Sequence, residues 1–190
     1  MTSPAALILP YKGIVPKIDR GAFIAPTAAV IGDVEIGPEV GVWFGVTIRG
    51  DMNVIRIGRR VNIQDGTVVH VDSRKYGTFI GDNVTIGHGA LIHACTLHNA
   101  CFVGMQACVM DGAVVETGAM VAAGSLVPPG KIVKAGQLWA GRPARFVRPC
   151  GEQEKGMIER VPPEYWALAQ RYLDAGIGRV AAANTAAPWT

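Results

Sequence analysis

An aliphatic residue recurs at every sixth position over most of this chain, a period that belongs neither to an amphipathic helix nor to a simple strand. One series runs Ile24, Val30, Ile36, Val42, Ile48 and Val54, and a second runs Leu97, Val103, Val109, Val115, Val121, Val127, Val133 and Trp139. A small residue follows four positions later, as at Cys101, Ala107, Ala113, Ala119 and Ser125. The pattern predicts a solenoid in which each hexapeptide forms one short strand and one corner.

Three such hexapeptides make a triangular coil of about 18 residues. Successive coils are expected to stack with ladder hydrogen bonds about 4.8 Å apart and to bury the aliphatic columns along the axis. Glycine follows the aliphatic residue where a corner needs freedom in φ or close approach of two backbones, at Gly37, Gly58, Gly81, Gly87 and Gly104. The sequence therefore predicts an all-β fold, a parallel β-helix over residues 21–145 behind an N-terminal segment of residues 1–20.

The hexapeptide register is interrupted twice. The step shortens between Val54 and Ile57, and residues 71–78 indicate a loop that leaves the coil. Loops that leave a rigid scaffold often border a functional site. The repeat is predicted to end near Gly141.

A C-terminal segment and an α-helix are predicted within residues 146–176. Helical spacing covers residues 164–174, where one face carries Trp166, Leu168, Ala169 and Tyr172. Pro163 suits the first turn of this helix, and Gly176 suits its C-terminal end. We expect the helix to pack on the outside of the prism and residues 177–190 to form a mobile tail.

The composition narrows the class of protein. With 190 residues, 49% hydrophobic and 17% charged, the chain fits one folded domain with little charge to cover its surface, so some apolar surface is expected between subunits. The net charge of +3 includes no basic run, which argues against nucleic acid as a partner. No apolar stretch approaches the roughly 20 residues of a membrane span, and no secretory leader is recognisable, so a cytoplasmic protein is expected.

The four cysteines are expected to be reduced thiols in small interior positions. They are Cys95, Cys101, Cys108 and Cys150.

Three of the four histidines, His70, His88 and His93, lie within 24 residues. His70 and His88 are 18 residues apart, one nominal coil, which predicts that they share a corner, and His93 follows about one prism face later. One chain would have difficulty bringing all three onto one ion, whereas two adjacent prisms could each contribute ligands. The spacing therefore predicts an oligomer. His98 lacks such companions and is expected at the surface.

Three neutral imidazoles and a water form an open tetrahedral site that suits Zn²⁺, in which the pKa of the bound water falls to about 7. Fe²⁺ or Co²⁺ would fit the same donors. Taken singly, each histidine could equally be a corner or edge residue.

Several short motifs resemble those of the γ-class carbonic anhydrases, in particular the short bacterial hexapeptide-repeat members, over residues 10–175. They occur in a fixed order, and a hexapeptide repeat alone would not distinguish this family from acyltransferases. The motifs are Arg49-Gly50-Asp51, Ile57-Gly58, Asn62-Ile63-Gln64-Asp65, His70, Val84-Thr85-Ile86-Gly87-His88 and Leu91-Ile92-His93-Ala94-Cys95.

The resemblance implies a left-handed β-helix and a homotrimer with metal sites shared between neighbouring subunits. His70 and His93 would come from one chain and His88 from its neighbour, and a metal-bound hydroxide would hydrate CO2 reversibly to bicarbonate. Gln64 and Asn62 would stand beside the bound water and the CO2 or bicarbonate. Charge pairs of Arg49, Asp51 and Asp65 would support the interface, although each of these residues also suits an ordinary turn or surface corner.

The sequence departs from the family pattern after Asp51, where well-known members carry a proton-shuttling glutamate and this chain has Met52. Methionine cannot carry protons, so the loop residues Asp72 and Tyr76, or buffer, would have to serve. Two other functions remain open. One is a metal-binding trimer without turnover, or with very slow turnover, and the other is a CoA-dependent acyltransferase with a single essential histidine and a pantetheine groove.

Overall fold

The computed structural model describes residues 5–178, which form twenty strands and one helix. The first strands are β1 (Leu7–Leu9), β2 (Lys17–Ile18), β3 (Phe23–Ile24), β4 (Ala29–Ile36), β5 (Gly41–Val42), β6 (Thr47–Ile57), β7 (Asn62–Ile63), β8 (Val68–His70), β9 (Thr78–Ile80) and β10 (Thr85–Ile86). The remaining elements are β11 (Leu91–His93), β12 (Thr96–Leu97), β13 (Phe102–Val103), β14 (Cys108–Val109), β15 (Val114–Val115), β16 (Met120–Val121), β17 (Leu126–Val127), β18 (Ile132–Val133), β19 (Gln137–Gly141), β20 (Ala144–Pro149) and α1 (Glu152–Asp174).

Strands β1 to β19 stack in parallel into a three-sided β-helix of about seven coils, as the repeat predicts, and β20 pairs antiparallel with β19. Face 1 contains β2, the end of β4, the end of β6, β9, β12, β15 and β18. Face 2 contains β3, β5, β7, β10, β13, β16 and β19, and face 3 contains β1, the start of β4, the start of β6, β8, β11, β14 and β17. The long strands β4 and β6 bend around the corner between faces 3 and 1.

One aliphatic column from each face fills the axis of the prism. The members are Ile18, Ile36, Ile57, Ile80, Leu97, Val115 and Val133 on face 1, Ile24, Val42, Ile63, Ile86, Val103 and Val121 on face 2, and Val30, Ile48, Val69, Ile92, Val109 and Val127 on face 3. None is more than 3% exposed. A Cβ on Gly104 would lie 2.4 Å from the amide nitrogen of Ala123, so the glycine there permits close stacking of neighbouring coils.

The register change was predicted between Val54 and Ile57, and that placement is wrong. Gly32 pairs with Gly50, but the next pair is Val34 with Ile55, so β6 carries three extra residues at this bend. The face 1 column therefore resumes at Ile57, Ile55 is buried two residues before it, and Val54 is only partly buried. The predicted loop of residues 71–78 is confirmed over residues 71–77, the irregular segment between β8 and β9, and Thr78 already begins β9.

The helix begins at Glu152, twelve residues before its predicted start, and it contains Pro162 and Pro163 instead of starting at them. Glu154 holds the first turn, because its carboxylate accepts the amide of Gly151 at 2.7 Å and both terminal nitrogens of Arg148, which lies in β20, at 2.9 and 3.0 Å. The predicted end at residue 174 is correct. Beyond it, the Gly178 carbonyl accepts the amide of Ile24, and the rest of the predicted mobile tail lies outside the described residues.

Helix α1 packs on the outside of the prism, as predicted, and it covers face 2 through an aromatic cluster. The centroid distances are 5.0 Å between Phe23 and Trp43, 5.4 Å between Trp43 and Tyr165 and 5.5 Å between Phe23 and Tyr172. Leu168, which was predicted on the packed face, is instead 38% exposed. No helix within residues 5–178 is long and apolar enough to span a membrane.

The four cysteines are free thiols, and only Cys108 is not fully buried. Burial raises the pKa values of the Cys95 and Cys101 thiols well above their ordinary range.

Candidate metal centre

His70 and His93 face each other at the corner between faces 3 and 1. They end the neighbouring strands β8 and β11 and are in register. Nδ1 of His70 lies 3.2 Å from Nε2 of His93. Two nitrogens that bind one Zn²⁺ at about 2.1 Å with a tetrahedral angle lie about 3.4 Å apart, so this separation fits two ligands of one ion.

The predicted sharing of a corner by His70 and His88 is wrong. The loop after β8 lengthens this coil, and His70 stacks on His93, which is 23 residues away, instead of on His88. His88 lies at the corner between faces 2 and 3, just after β10. The three histidines therefore divide into a pair and a single residue on opposite edges of face 3.

At the corner between faces 2 and 3, His88 contacts Gln64 and Asp65. The His88 amide donates to Oε1 of Gln64 at 3.2 Å, and Nδ1 of His88 lies 3.0 Å from the carboxylate of Asp65. The Asp65 carbonyl also accepts the amide of Gly89 at 2.9 Å, which fixes the turn that carries His88. Gln64 is 4% exposed, whereas the His88 side chain is 41% exposed, so the imidazole projects to the outside of the chain.

The histidines of the pair also contact carboxylates. Nε2 of His70 lies 3.1 Å from Oδ1 of Asp51, and Nδ1 of His93 hydrogen-bonds Oδ1 of Asp111. Each of the three histidines thus has one ring nitrogen at an aspartate. An aspartate in this position sets the tautomer and leaves the other nitrogen free as a metal ligand.

Asp51 is fixed by Arg49 as well as by His70. Arg49 donates to Oδ2 of Asp51 at 2.5 Å. Burial alone would raise the pKa of Asp51, but the hydrogen bonds from Arg49 and His70 outweigh it and lower that pKa below its ordinary value. The Thr78 hydroxyl donates to the His70 carbonyl at 2.6 Å and closes the neck of the loop behind this histidine.

Face 3 presents exposed apolar side chains between the two corners. Val68 is 38% exposed and Leu91 is 36% exposed, and the two are paired on β8 and β11. Within residues 5–178, no group of three or more His, Cys, Asp or Glu side chains is arranged to hold a metal ion. A single chain therefore carries two incomplete half-sites, separated by an apolar strip.

Asn62 was expected beside the bound water. It lies in β7 on face 2, the face that α1 covers. It is 2% exposed, and its amide has no hydrogen-bond partner among the described residues. Met52 is 58% exposed and lines a cleft of about 250 Å³ together with Tyr11, Lys12 and Asp51.

Asp111 is the site residue that the sequence analysis missed. It follows His93 by 18 residues, which is one nominal coil, and this spacing is the signal that could have found it. His98 is exposed, as predicted, and lines a groove of about 440 Å³ on face 1 with Phe79 and Leu97.

The fold and the histidine half-sites define a hexapeptide-repeat β-helix protein with a candidate metal centre. No family model matches the chain. It is 44% identical over 162 residues to "Gamma carbonic anhydrase 1, mitochondrial" of Arabidopsis thaliana, covering 83% of this chain and 59% of that protein. It is 45% identical over 166 residues to "Carbonic anhydrase" of Geobacillus kaustophilus, covering 87% of this chain and 91% of that protein.

Among solved structures, the chain is similar to a hexapeptide transferase family protein from Anaplasma phagocytophilum, with a TM-score of 0.84 and 50% identity over 87% of this chain and 98% of that one. The chain spans about three fifths of the length of the Arabidopsis relatives that it matches. It belongs to the γ-class carbonic anhydrase family.

Proposed function

We propose that the protein is a homotrimeric, metal-dependent enzyme that hydrates CO2 reversibly to bicarbonate. The single observation that carries this proposal is the division of three aspartate-held histidines between opposite edges of face 3. A second chain is needed to add His88 to the pair of His70 and His93.

A closed ring of three subunits meets this need. Each contact in the ring joins two different edges, so the His70 and His93 edge of one chain faces the His88 edge of the next. Val68 and Leu91 lie between these edges and would be buried in the contact, as apolar side chains are at the centre of stable interfaces.

The donor set fits Zn²⁺, and Fe²⁺ or Co²⁺ would bind to the same nitrogens. His70, His88 and His93 would hold the divalent metal, which would act as a Lewis acid and activate water near neutral pH for addition to CO2. The three aspartates would keep the histidines oriented, with Arg49 holding Asp51. Gln64, fixed by the His88 amide, would orient the attacking oxygen or the bicarbonate product by hydrogen bonding, with Asn62 beside it on the same strand.

Proton release cannot use a glutamate at the position that follows Asp51. Met52 occupies the place of the shuttling glutamate, and the Asp72 carboxylate is already bonded to the amides of Arg74 and Lys75 in its own loop at 2.8 and 2.7 Å. We therefore expect CO2 hydration to depend strongly on the concentration of buffer, which can accept the proton directly.

Stopped-flow CO2 hydration tests the proposal. The trimer is loaded to one metal per chain with Zn²⁺, or anaerobically with Fe²⁺, and compared with His93→Ala and with His98→Ala, which removes a histidine outside the site. We expect turnover that rises with buffer concentration in the wild type and in His98→Ala, and background rates in His93→Ala. A fully metallated trimer that stays at the His93→Ala background in every buffer would refute CO2 hydration.

The second candidate is a metal-binding trimer without turnover, which uses the same half-sites. Metal binding that holds the trimer together, without CO2 hydration, would support it.

The acyltransferase alternative is favoured by a different feature, the groove on face 1 that contains His98. It predicts binding of acetyl-CoA that is weakened by substitutions in the groove, and loss of acetyl transfer in His98→Ala with the metal centre intact.

A further inference from the structure

Four buried polar atoms beneath α1 have no hydrogen-bond partner among the described residues. They are Nε1 of Trp43, Nδ2 and Oδ1 of Asn62 and Oγ1 of Thr85. Trp43 is 3% exposed, Asn62 2% and Thr85 1%. Buried polar groups in native proteins nearly always have a partner, so four such atoms require an explanation.

These atoms form one cluster. Asn62 pairs with Gly41 on one side and with Thr85 on the other, so three neighbouring strands contribute adjacent positions about 4.8 Å apart. Gly41 has no side chain, and Nε1 of Trp43 lies 3.1 Å from the position that a Cβ on Gly41 would take. The indole N–H therefore lies over the strand next to Asn62, on the same side of the sheet.

Helix α1 closes the cluster from outside. Tyr165 packs edge-on against Trp43, and Ile158 packs with Met120 further along face 2, so the helical turn that contains Pro162 lies between these two contacts. Helix α1 as a whole contacts β5, β7 and β10, the strands that carry the cluster. Pro162 is buried and has no N–H, so the Ile158 carbonyl lacks its usual helical donor. In this part of the interface, the strands present polar side chains, and the helix has a carbonyl that receives no helical hydrogen bond.

We propose that the cluster of Trp43, Asn62 and Thr85 is a built-in hydration site that binds one or two ordered water molecules. Trp43 offers only a donor, Asn62 offers donors and acceptors, and the Thr85 hydroxyl offers both. A cation would be repelled by the indole and amide N–H groups, and an anion would face the Asn62 oxygen. Water matches the mixed set, since a buried water needs two to four polar partners.

The proposed hydration site also adjoins Gln64. Residues two apart on an extended strand project to the same side, so the Asn62 amide neighbours the Gln64 side chain. Bridging water would tie β5, β7 and β10 to α1 at this level. The proposal does not depend on the proposed function, because it uses no metal and no substrate.

A crystal structure at about 1.5 Å resolution tests the site directly. We expect ordered water within about 3.2 Å of Trp43 Nε1 and of at least one polar atom of Asn62 or Thr85. Direct hydrogen bonds from all three side chains to protein atoms, or a dry cluster, would overturn the proposal.

Denaturation of apolar variants gives a second, independent measurement. Asn62→Leu alone leaves the water with fewer partners, so its denaturant midpoint should fall. Adding Thr85→Val, which removes a second polar atom from the same site, should then cost less than Thr85→Val costs in the wild type. Thr67→Val is the matched control, because the Thr67 hydroxyl bonds directly to the Gly87 carbonyl at 3.1 Å. If the midpoint losses of Asn62→Leu and Thr85→Val simply add, as those of Asn62→Leu and Thr67→Val should, the two side chains do not share a water.

Discussion

At the scale of single residues, the aspartates determine which nitrogen of each histidine is free to bind a metal. Neutral imidazole carries its proton on one nitrogen and can ligate a metal only through the other. Asp51, Asp65 and Asp111 each accept a hydrogen bond from the proton-bearing nitrogen of one histidine, an arrangement that orients the ring and leaves the other nitrogen free to bind a metal.

Asp111→Asn is expected to lower Zn²⁺ affinity by about 10- to 100-fold while leaving the fold intact. Asparagine keeps an oxygen near Nδ1 of His93, but it loses the negative charge that strengthens the hydrogen bond holding the ring in place. Competition with a calibrated zinc chelator measures the change. Asp72→Asn is the matched control, because the Asp72 carboxylate bonds only to backbone amides of its own loop in the structure. Equal affinities of the two variants would contradict the assignment.

The resemblance placed His70 and His93 together on one chain, where the structure brings them into contact, whereas the 18-residue spacing wrongly placed His88 at the corner of His70. The motif that contains Gln64 and Asp65 led us to expect Gln64 beside the bound water and Asp65 in a charge pair at the interface, and both residues contact His88. Asp111 belongs to no motif, and its contact with His93 depends on the register of coils 18 residues apart. The pairing of His70 with His93 depends on the number of residues that the loop adds, which hydrophobic spacing cannot give.

At the scale of elements, the repeat predicts strands well because each strand buries one column residue. It fails where the chain leaves the period, as at the three additional residues of β6. The helix start was misplaced for another reason. Pro162 and Pro163 resemble an N-terminal signal, whereas the real first turn is held by Glu154 through Arg148, a contact with β20 that helical periodicity does not reveal.

The contact between Glu154 and Arg148 predicts a pH dependence. Hydrogen bonds from Arg148 and from the Gly151 amide lower the pKa of Glu154 from 4.5 to about 2. A carboxylate with a lowered folded-state pKa stabilises the fold above its unfolded pKa, and this contribution disappears as the pH falls from about 4.5 towards 2. The urea midpoint of Glu154→Gln should therefore lie below that of the wild type at pH 7 and approach it in acid.

Glu152→Gln is the control for this experiment, because the Glu152 side chain is 92% exposed and pairs only with Lys155 in the structure. Its midpoint should follow the wild type at every pH. If the difference between Glu154→Gln and the wild type is the same at pH 7 and at pH 3, the first turn of α1 does not depend on the ionised carboxylate.

At the scale of the whole molecule, the faces of the prism differ in what covers them. Helix α1 covers face 2 within the chain. Face 3 exposes Val68 and Leu91 between the two half-sites, and Leu126 further along is partly exposed. The proposed trimer would bury this strip and complete the metal site by the same contact, so assembly and metal binding should be coupled.

Mixed trimers test that coupling and the assignment of ligands to chains. His88→Ala and His93→Ala chains should each bind no metal at the centre alone. Co-expressed in equal amounts, they assort into a ring where each mixed trimer has one interface with all three histidines, so about a quarter of the wild-type metal content should return. Mixing His70→Ala with His93→Ala should restore none, since both ligands must come from the same edge. Metal content per purified trimer decides between these outcomes, and equal restoration in both mixtures would mean that the three histidines are not divided between chains in this way.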